Sequence, residues 1–448
     1  MTEDDQLMES ALRRARDTRK LVVAAGARRQ VPAVFAELFG DSPCIVIADE
    51  NTFAAAGKDV YDRLRASGRK CREPLVMEPE GLYAEYSYVT RIQQALAGND
   101  AIPVAVGSGS INDLTKLASH LSGRQYLSVA TAASMDGYTA FGASITHEGS
   151  KQTFDCPAPI GVVADLDVIA AAPEGLNASG YADLVAKVPA GLDWLLADAL
   201  SVDAVDAEIW DMVQSRLNVW MSDAGGVPRR DMEVTRRLTV ALMITGFAMQ
   251  ASCSSRPVSG AEHQFSHLWD MEHHTYRGIT PSHGFKVGIG SLASLGLYEA
   301  VLAFDFEKLD VDVAVKAWPT LAENDVEIAK LFEIPELRGK AILESTTKYI
   351  DHVALRTQLE QLKRDWPSIR ERLSKRMMTR KQLHDMLYAA GCPVRSEDIG
   401  ISPERLRISF RKAYHIRRRF TIFDLVRRAN IWDSCLDHVF SKAVSDGR

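Results

Sequence analysis

With 448 residues, the chain is long enough for one large core or two ordinary ones, and two domains is the expected organisation. Apolar residues at 46% and charged residues at 25% exclude a disordered or fibrous chain. A net charge of -6, with pI near 6.0, argues against a nucleic-acid partner, and no apolar run approaches the roughly 20 residues that a membrane span needs.

Taken in chain order, the first segment, MTEDDQLMESALRRARDTRK, is polar and acidic, without the basic and then apolar layout of a secretory signal, so the expected location is the cytoplasm. Apolar runs of strand length follow at residues 20–24, 44–48, 75–77, 102–106, 126–130 and 160–164. Stretches with helical spacing lie between most of them, as at 52–66 and 85–97. This alternation predicts a mostly parallel sheet covered on both faces. From Pro173 onward long Ala/Leu-rich segments with a period near 3.6 follow one another, with few candidate strands. The predicted architecture is therefore an α/β Rossmann-like domain over residues 1–172 and an all-α domain over 173–448. The six cysteines (Cys44, Cys71, Cys156, Cys253, Cys392 and Cys435) form no CxxC pair and are expected to be reduced, mostly packed thiols.

The stretch IPVAVGSGSIND reads as a strand, a small-residue turn and a helix start. Gly107 and Gly109 let backbone N–H groups approach a pyrophosphate, and the helix from Gly109 through Ser110, Ile111, Asn112 and Asp113 offers its positive end to the same anion. Asn112 stands where the third glycine of GxGxxG would be. The strand before Asp49 and Glu50 ends in two carboxylates, which can accept hydrogen bonds from an adenosine ribose and would repel a 2′-phosphate. Thr131, Ala132, Ala133, Ser134 and Asp136 follow another strand end. A plain strand-to-helix turn, and Asp49 as a helix cap, would use the same residues without a ligand.

In the helical half, Asp183 lies in the apolar run SGYADL, where a buried carboxylate needs a cation or donors. His263 and His267, four apart, share one helix face, and His283 opens a further helix. One Asp and two or three His from separate helices suit an open divalent-metal site, although spacing alone does not choose among them. His273 and His274 fall in a polar loop and are expected to face solvent. The triple arginine Arg417, Arg418 and Arg419 reads as a solvated helix end, an anion site or a subunit contact.

Together these segments resemble the sn-glycerol-1-phosphate dehydrogenase family, within the iron-containing alcohol dehydrogenase and dehydroquinate synthase-like superfamily. The matching stretches are VAVGSGSINDLTK, SVATAASMDGYTAFGAS, VVADLDVIAAAP, ASGYADLVAK, SRPVSGAEHQFSHLWDM and SHGFKVGIGSL, spread over about residues 40 to 300. The resemblance implies a Rossmann-like domain, a helical domain and an active site in the cleft between them. It implies Asp183, His263 and His283 as metal ligands, with Asp136, His267 and Asp183 as catalytic and substrate contacts. It also implies that Gly109–Asp113 and Thr131–Ser134 hold the dinucleotide, with Asp49 near the adenosine. The family uses NAD or NADP, NAD being favoured here, and zinc or nickel. The implied reaction interconverts dihydroxyacetone phosphate and sn-glycerol 1-phosphate, with Arg256 as a candidate for the substrate phosphate. A homodimer is expected from the large apolar helical half. A dehydroquinate synthase-like cyclase, a glycerol or polyol dehydrogenase, and a nucleotide-binding protein with a degenerate site are the competing readings. The chain departs from some members in carrying Ala140 where they place a serine, and in the length of its C-terminal helices.

Overall fold

The computed structural model describes residues 2–148 and 150–445. The chain gathers into two compact units: Met1–Leu184 with Glu208–Pro257 and Ala389–Cys392, and Val185–Ala207 with Val258–Tyr388 and Pro393–Arg448.

The first unit is built on a six-stranded sheet in which every neighbouring pair is parallel. Its strands are β1 (Lys20–Ala24), β2 (Cys44–Asp49), β3 (Leu75–Met77), β4 (Ile102–Gly107), β5 (Leu127–Ala130) and, after a separate hairpin of β6 (Ala143–His147) and β7 (Ser150–Phe154), β8 (Gly161–Asp165). The order across the sheet is β1-β8-β5-β4-β2-β3. Side chains alternate between two cores, as the pleat requires. Cys44, Val46 and Ala48 of β2 face one core with the helices Val31–Phe39 and Lys58–Ala66, while Ile45 and Ile47 face the other with Tyr86–Leu96 and Gly109–Leu121. Burial on both faces is why these strands read as unbroken apolar runs, whereas the hairpin lacked such a run and was not anticipated.

The second unit is helical among its described residues. The helices Ala261–Met271 and His283–Ala303 pack along each other, and the later helices Pro403–His415, Ile422–Arg428 and Trp432–Ser445 pack against this pair. At Gly290 a β-carbon would lie 2.4 Å from the carbonyl oxygen of Glu262, so the absent side chain is what lets the two helix backbones approach. Phe265 on the histidine-bearing helix meets Phe410 and Phe423 edge-on, at 4.9 and 5.4 Å between ring centres. The C-terminal extension thus buttresses the helix that carries His263 and His267.

Three expectations change. One cut at 172/173 does not describe the units, because the helices Glu174–Val185 and Met232–Ser252 stay with the sheet. The latter is apolar nearly all round and packs against the helices Glu3–Arg14 and Leu166–Ala171 and against β1. A run of bilayer length does exist: the helix His283–Ala303 has 21 residues and holds an 18-residue window of mean hydropathy 1.3, but 83% of that window is buried inside the protein, as in a core helix. The six cysteines are all free thiols, yet Cys253 is exposed rather than packed.

Candidate metal and dinucleotide site

In the first unit the carboxyl ends of the adjacent strands β2, β4 and β5 bring Asp49, Ser108–Gly109 and Thr131 to one edge of the sheet. The helix Gly109–Leu121 begins there, and its N-cap Ser108 makes no side-chain cap. The first backbone N–H groups of that helix therefore suit an anion. Ile111 and Asn112 turn inward: Ile111 joins the core, and the Asn112 amide oxygen accepts from Tyr126 (3.1 Å) and Ser128 (3.0 Å). Their side chains build the turn, and only their backbone is placed to meet a ligand. Asp113 accepts the Ser144 N–H at 3.2 Å. Asp49 caps the short helical turn that follows β2, its Oδ1 accepting the Thr52 N–H at 2.9 Å.

The segment after β5 is held by partners that no local motif announces. Ala133 N–H donates to Asn177 Oδ1 (3.0 Å), and Ser179 Oγ donates to the Ser134 carbonyl (3.3 Å). At Gly180 a β-carbon would sit 1.8 Å from the Ala133 carbonyl oxygen, so the helix Glu174–Val185 rests its bare backbone on this turn. Three residues further along that helix, Asp183 Oδ2 accepts the backbone N–H of Asp136 at 3.0 Å, and both carboxylates are buried. Lys116, fully buried, donates to the carbonyls of Gly137 (2.9 Å), Ala140 (3.0 Å) and Gly142 (2.9 Å), and so clamps the loop that carries Asp136. Ala140 contributes its backbone oxygen to that clamp.

In the second unit His263, His267 and His283 face one another, with ring centres 5.3 Å apart for His263–His283 and 6.3 and 6.4 Å from those rings to His267. Glu262 Oε1 lies 2.8 Å from His263 Nδ1, and Ser266 Oγ lies 3.3 Å from His283 Nδ1. Each contact engages Nδ1 and turns Nε2 outward, the usual way that a ligand imidazole is oriented from behind. His267 differs. Its Nε2 accepts from Arg417 at 2.9 Å, which requires a neutral ring with the proton on Nδ1. Arg417 is half-buried, and burial lowers its pKa from the ordinary guanidinium value, opposed by the charges of Glu344 and Glu262.

His263 and His283 stand together in the second unit with ring centres 5.3 Å apart, and Asp183 is a buried carboxylate of the first. Paired imidazoles with Nε2 presented, and a buried carboxylate, are the donor types that a divalent first-row ion takes. Arg256 is buried at 5% exposure. His273 is exposed, but His274 is not, contrary to expectation: its Nε2 meets the Ile399 carbonyl at 2.7 Å and its Nδ1 meets Arg405 at 2.8 Å. Burial lowers the His274 pKa. Sequence reading passed over Lys116, Glu262, Ser266 and the reach of Arg417. A buried lysine on an otherwise apolar helix face was the one legible signal, since the other contacts depend on pairing distant segments or on a rotamer.

Residues 22–173 match the family model described as iron-containing alcohol dehydrogenase. A glycerol-1-phosphate dehydrogenase (NAD(P)+) from Halalkalibacterium halodurans is 34% identical over 257 residues, which cover 57% of this chain and 64% of that relative, less than two thirds of its length. An enzyme of the same name from Methanosarcina barkeri is 32% identical over 284 residues, covering 62% of this chain and 76% of the relative. The fold is shared with a probable glycerol dehydrogenase from Sinorhizobium meliloti, at a TM-score of 0.60 and 15% identity over 95% of this chain and 98% of that one.

Proposed function

This chain belongs to the glycerol-1-phosphate dehydrogenase family, within the iron-containing alcohol dehydrogenases, and from that premise we propose that it interconverts dihydroxyacetone phosphate and sn-glycerol 1-phosphate with NAD(P). The observation that carries the reading is the pair His263 and His283, ring centres 5.3 Å apart, with Glu262 and Ser266 behind the two rings; Asp183 is the proposed third ligand. When bound, a divalent ion, zinc or nickel, supplies Lewis acidity toward the substrate oxygen, and the dinucleotide supplies or accepts the hydride.

The chain's own residues orient and protonate. In the reductive direction a hydride adds to the central carbon of the ketone, the carbonyl π pair moves to oxygen, and that oxygen takes one proton. NAD(P)H and a proton are consumed, and NAD(P)+ is released. His267, a neutral ring with its proton on Nδ1, stands in the histidine row, so it can hydrogen-bond a substrate hydroxyl, and it relays a proton only by taking one up as it gives one away. Asp136, fixed by its backbone bond to Asp183 and by the Lys116 clamp, serves as a substrate contact. The helix that opens at Gly109, with Ser110, receives the pyrophosphate through backbone N–H groups. The turn Thr131–Ser134 lies against the nicotinamide half, and Asp49 and Glu50 favour NAD at the adenosine end. Arg256, buried, is one candidate contact for the substrate phosphate. A cytoplasmic homodimer completes the reading.

The test is a spectrophotometric assay of dihydroxyacetone phosphate reduction with NADH and with NADPH, before and after chelation and with zinc or nickel restored. Chelator-sensitive oxidation of the cofactor, with the 1-phosphate enantiomer as product, is expected. Absence of net cofactor oxidation with every metal would overturn the dehydrogenase and favour a cyclase that returns its hydride within one turnover.

A further inference from the structure

The arginine run at 417–419 is not a uniform basic surface. Arg418 is exposed and forked onto Glu344, with Nε to Oε2 at 2.9 Å, and its backbone N–H reaches the same oxygen at 2.9 Å. Arg419 donates to the Ser259 carbonyl. Arg417 alone turns toward the histidine row, and its hydrogen bond goes to a neutral ring rather than to a carboxylate. Lys340 is near enough for the positive charges of Arg417 and Arg418 to help lower its pKa, behind burial as the main cause. Arg417, Arg418 and Lys340 all lie near Glu344, which Arg418 engages directly, and Arg417 also feels the charge of Glu262, which is turned to His263. Three cations against two carboxylates leave positive charge in excess beside His267, where a dianion would be stabilised.

The placement suits one part of the substrate. With the carbonyl oxygen near the His263–His283 pair, the phosphate lies one carbon and one ester oxygen beyond the carbonyl carbon. The His267 ring centre is 6.3 and 6.4 Å from those two rings, and Arg417 sits 2.9 Å beyond its Nε2. A guanidinium has donors to spare: one N–H can hold His267 while others take phosphate oxygens. The side chain comes from the loop after the helix Pro403–His415, within the C-terminal extension. We propose that Arg417 is the residue that recognises the substrate phosphate, so that the C-terminal helices confer selectivity for a phosphorylated over a bare triose. This rests on the dehydrogenase reading above for the identity of the substrate, but the anion site itself does not need turnover.

Two measurements on the full chain separate these layers. Losing a hydrogen bond to a charged group costs about 1.5–3 kcal/mol, which corresponds to roughly 10- to 150-fold in affinity. Arg417→Gln should raise the KM for dihydroxyacetone phosphate by about that factor, with kcat changed less than KM, and Arg417→Lys should recover part of the loss. Arg418→Gln is the control and should move KM less than about twofold, as expected of an exposed pair. In parallel, calorimetric titration with inorganic phosphate should show binding to the wild type and its loss in Arg417→Gln. If no variant or wild type turns over the ketone while phosphate binding still depends on Arg417, the dehydrogenase reading fails and the anion site stands. Equal phosphate binding by wild type and Arg417→Gln, a fall confined to kcat, or a KM that responds to Arg256→Ala and not to Arg417→Gln would overturn the proposal.

Discussion

Replacing Gly180 by alanine sets two effects against each other. A β-carbon there would be 1.8 Å from the Ala133 carbonyl oxygen, and contacts under 3.0 Å are essentially not found, so the helix or the turn must yield by at least 1.2 Å (3.0 minus 1.8). Overpacking of this kind costs about 1–3 kcal/mol, while alanine returns about 1 kcal/mol of helix propensity over glycine. The net stability loss is therefore expected to be small, about 0–2 kcal/mol. The geometric loss is not small. Asp183 lies three residues along the same helix, and metal–ligand distances tolerate only about 0.2 Å. A displacement of about 1 Å in an active site costs on the order of 100-fold. Gly180→Ala is thus expected to melt close to the wild type yet bind zinc about 100-fold more weakly, with turnover down by a similar factor. Competition against a chromophoric chelator, run beside circular-dichroism melting, measures both. Wild-type zinc affinity in a folded variant would refute the placement of Asp183 as a ligand held by that backbone contact.

Three further outcomes are expected. Glu262→Gln keeps the shape behind His263 but removes the charge that accepts its Nδ1–H at 2.8 Å, and should lower metal affinity about 10- to 100-fold; an unaltered affinity would mean that Glu262 does not tune the ligand. Lys116→Met strips the donor from three loop carbonyls at once and should cost roughly 3–5 kcal/mol in urea denaturation. A loss under about 1 kcal/mol would show that water replaces the clamp. His415 is buried beside Arg427 and Lys348, which holds it neutral far below the ordinary histidine pKa of 6.5, with Ser345 Oγ at 2.8 Å from its Nδ1. The unfolded chain takes up that proton and the folded chain does not, so stability should fall as pH drops below 6.5, by at most about 1.4 kcal/mol per unit. Urea midpoints at about pH 7 and about pH 5.5 should converge in His415→Gln relative to wild type, and an equal drop in both proteins would remove His415 from the account.

The first unit was legible because its central strands are buried on both faces. A strand such as β2, with every residue buried, must be apolar at each position, and the run at 44–48 carries that requirement openly. The turn at Gly107–Gly109 was legible because small residues mark a tight strand-to-helix turn; at Gly107 a β-carbon would lie 2.5 Å from the Ile111 side chain. The histidine spacing at 263 and 267 announced a shared helix face, although it could not say which rings act together. His263 and His283 meet from two helices, 20 positions apart, and no periodicity encodes that pairing.

What the sequence by itself determined is the class of fold and the set of candidate groups: alternation of period 2 and period 3.6 specifies local geometry, and residue chemistry specifies what a site could hold. Only the tertiary structure decided which groups meet. Lys116 under the 137–142 carbonyls, Gly180 on Ala133, Glu262 behind His263 and Arg417 on His267 are contacts whose partners lie beyond the span of any turn or helix, or depend on a rotamer choice. The same holds for His274, which reads as a loop residue and is buried because the segment around Ile399 folds over it. Local propensity acts over a few residues, whereas these pairings are set by how whole helices pack, and packing is a property of the folded chain.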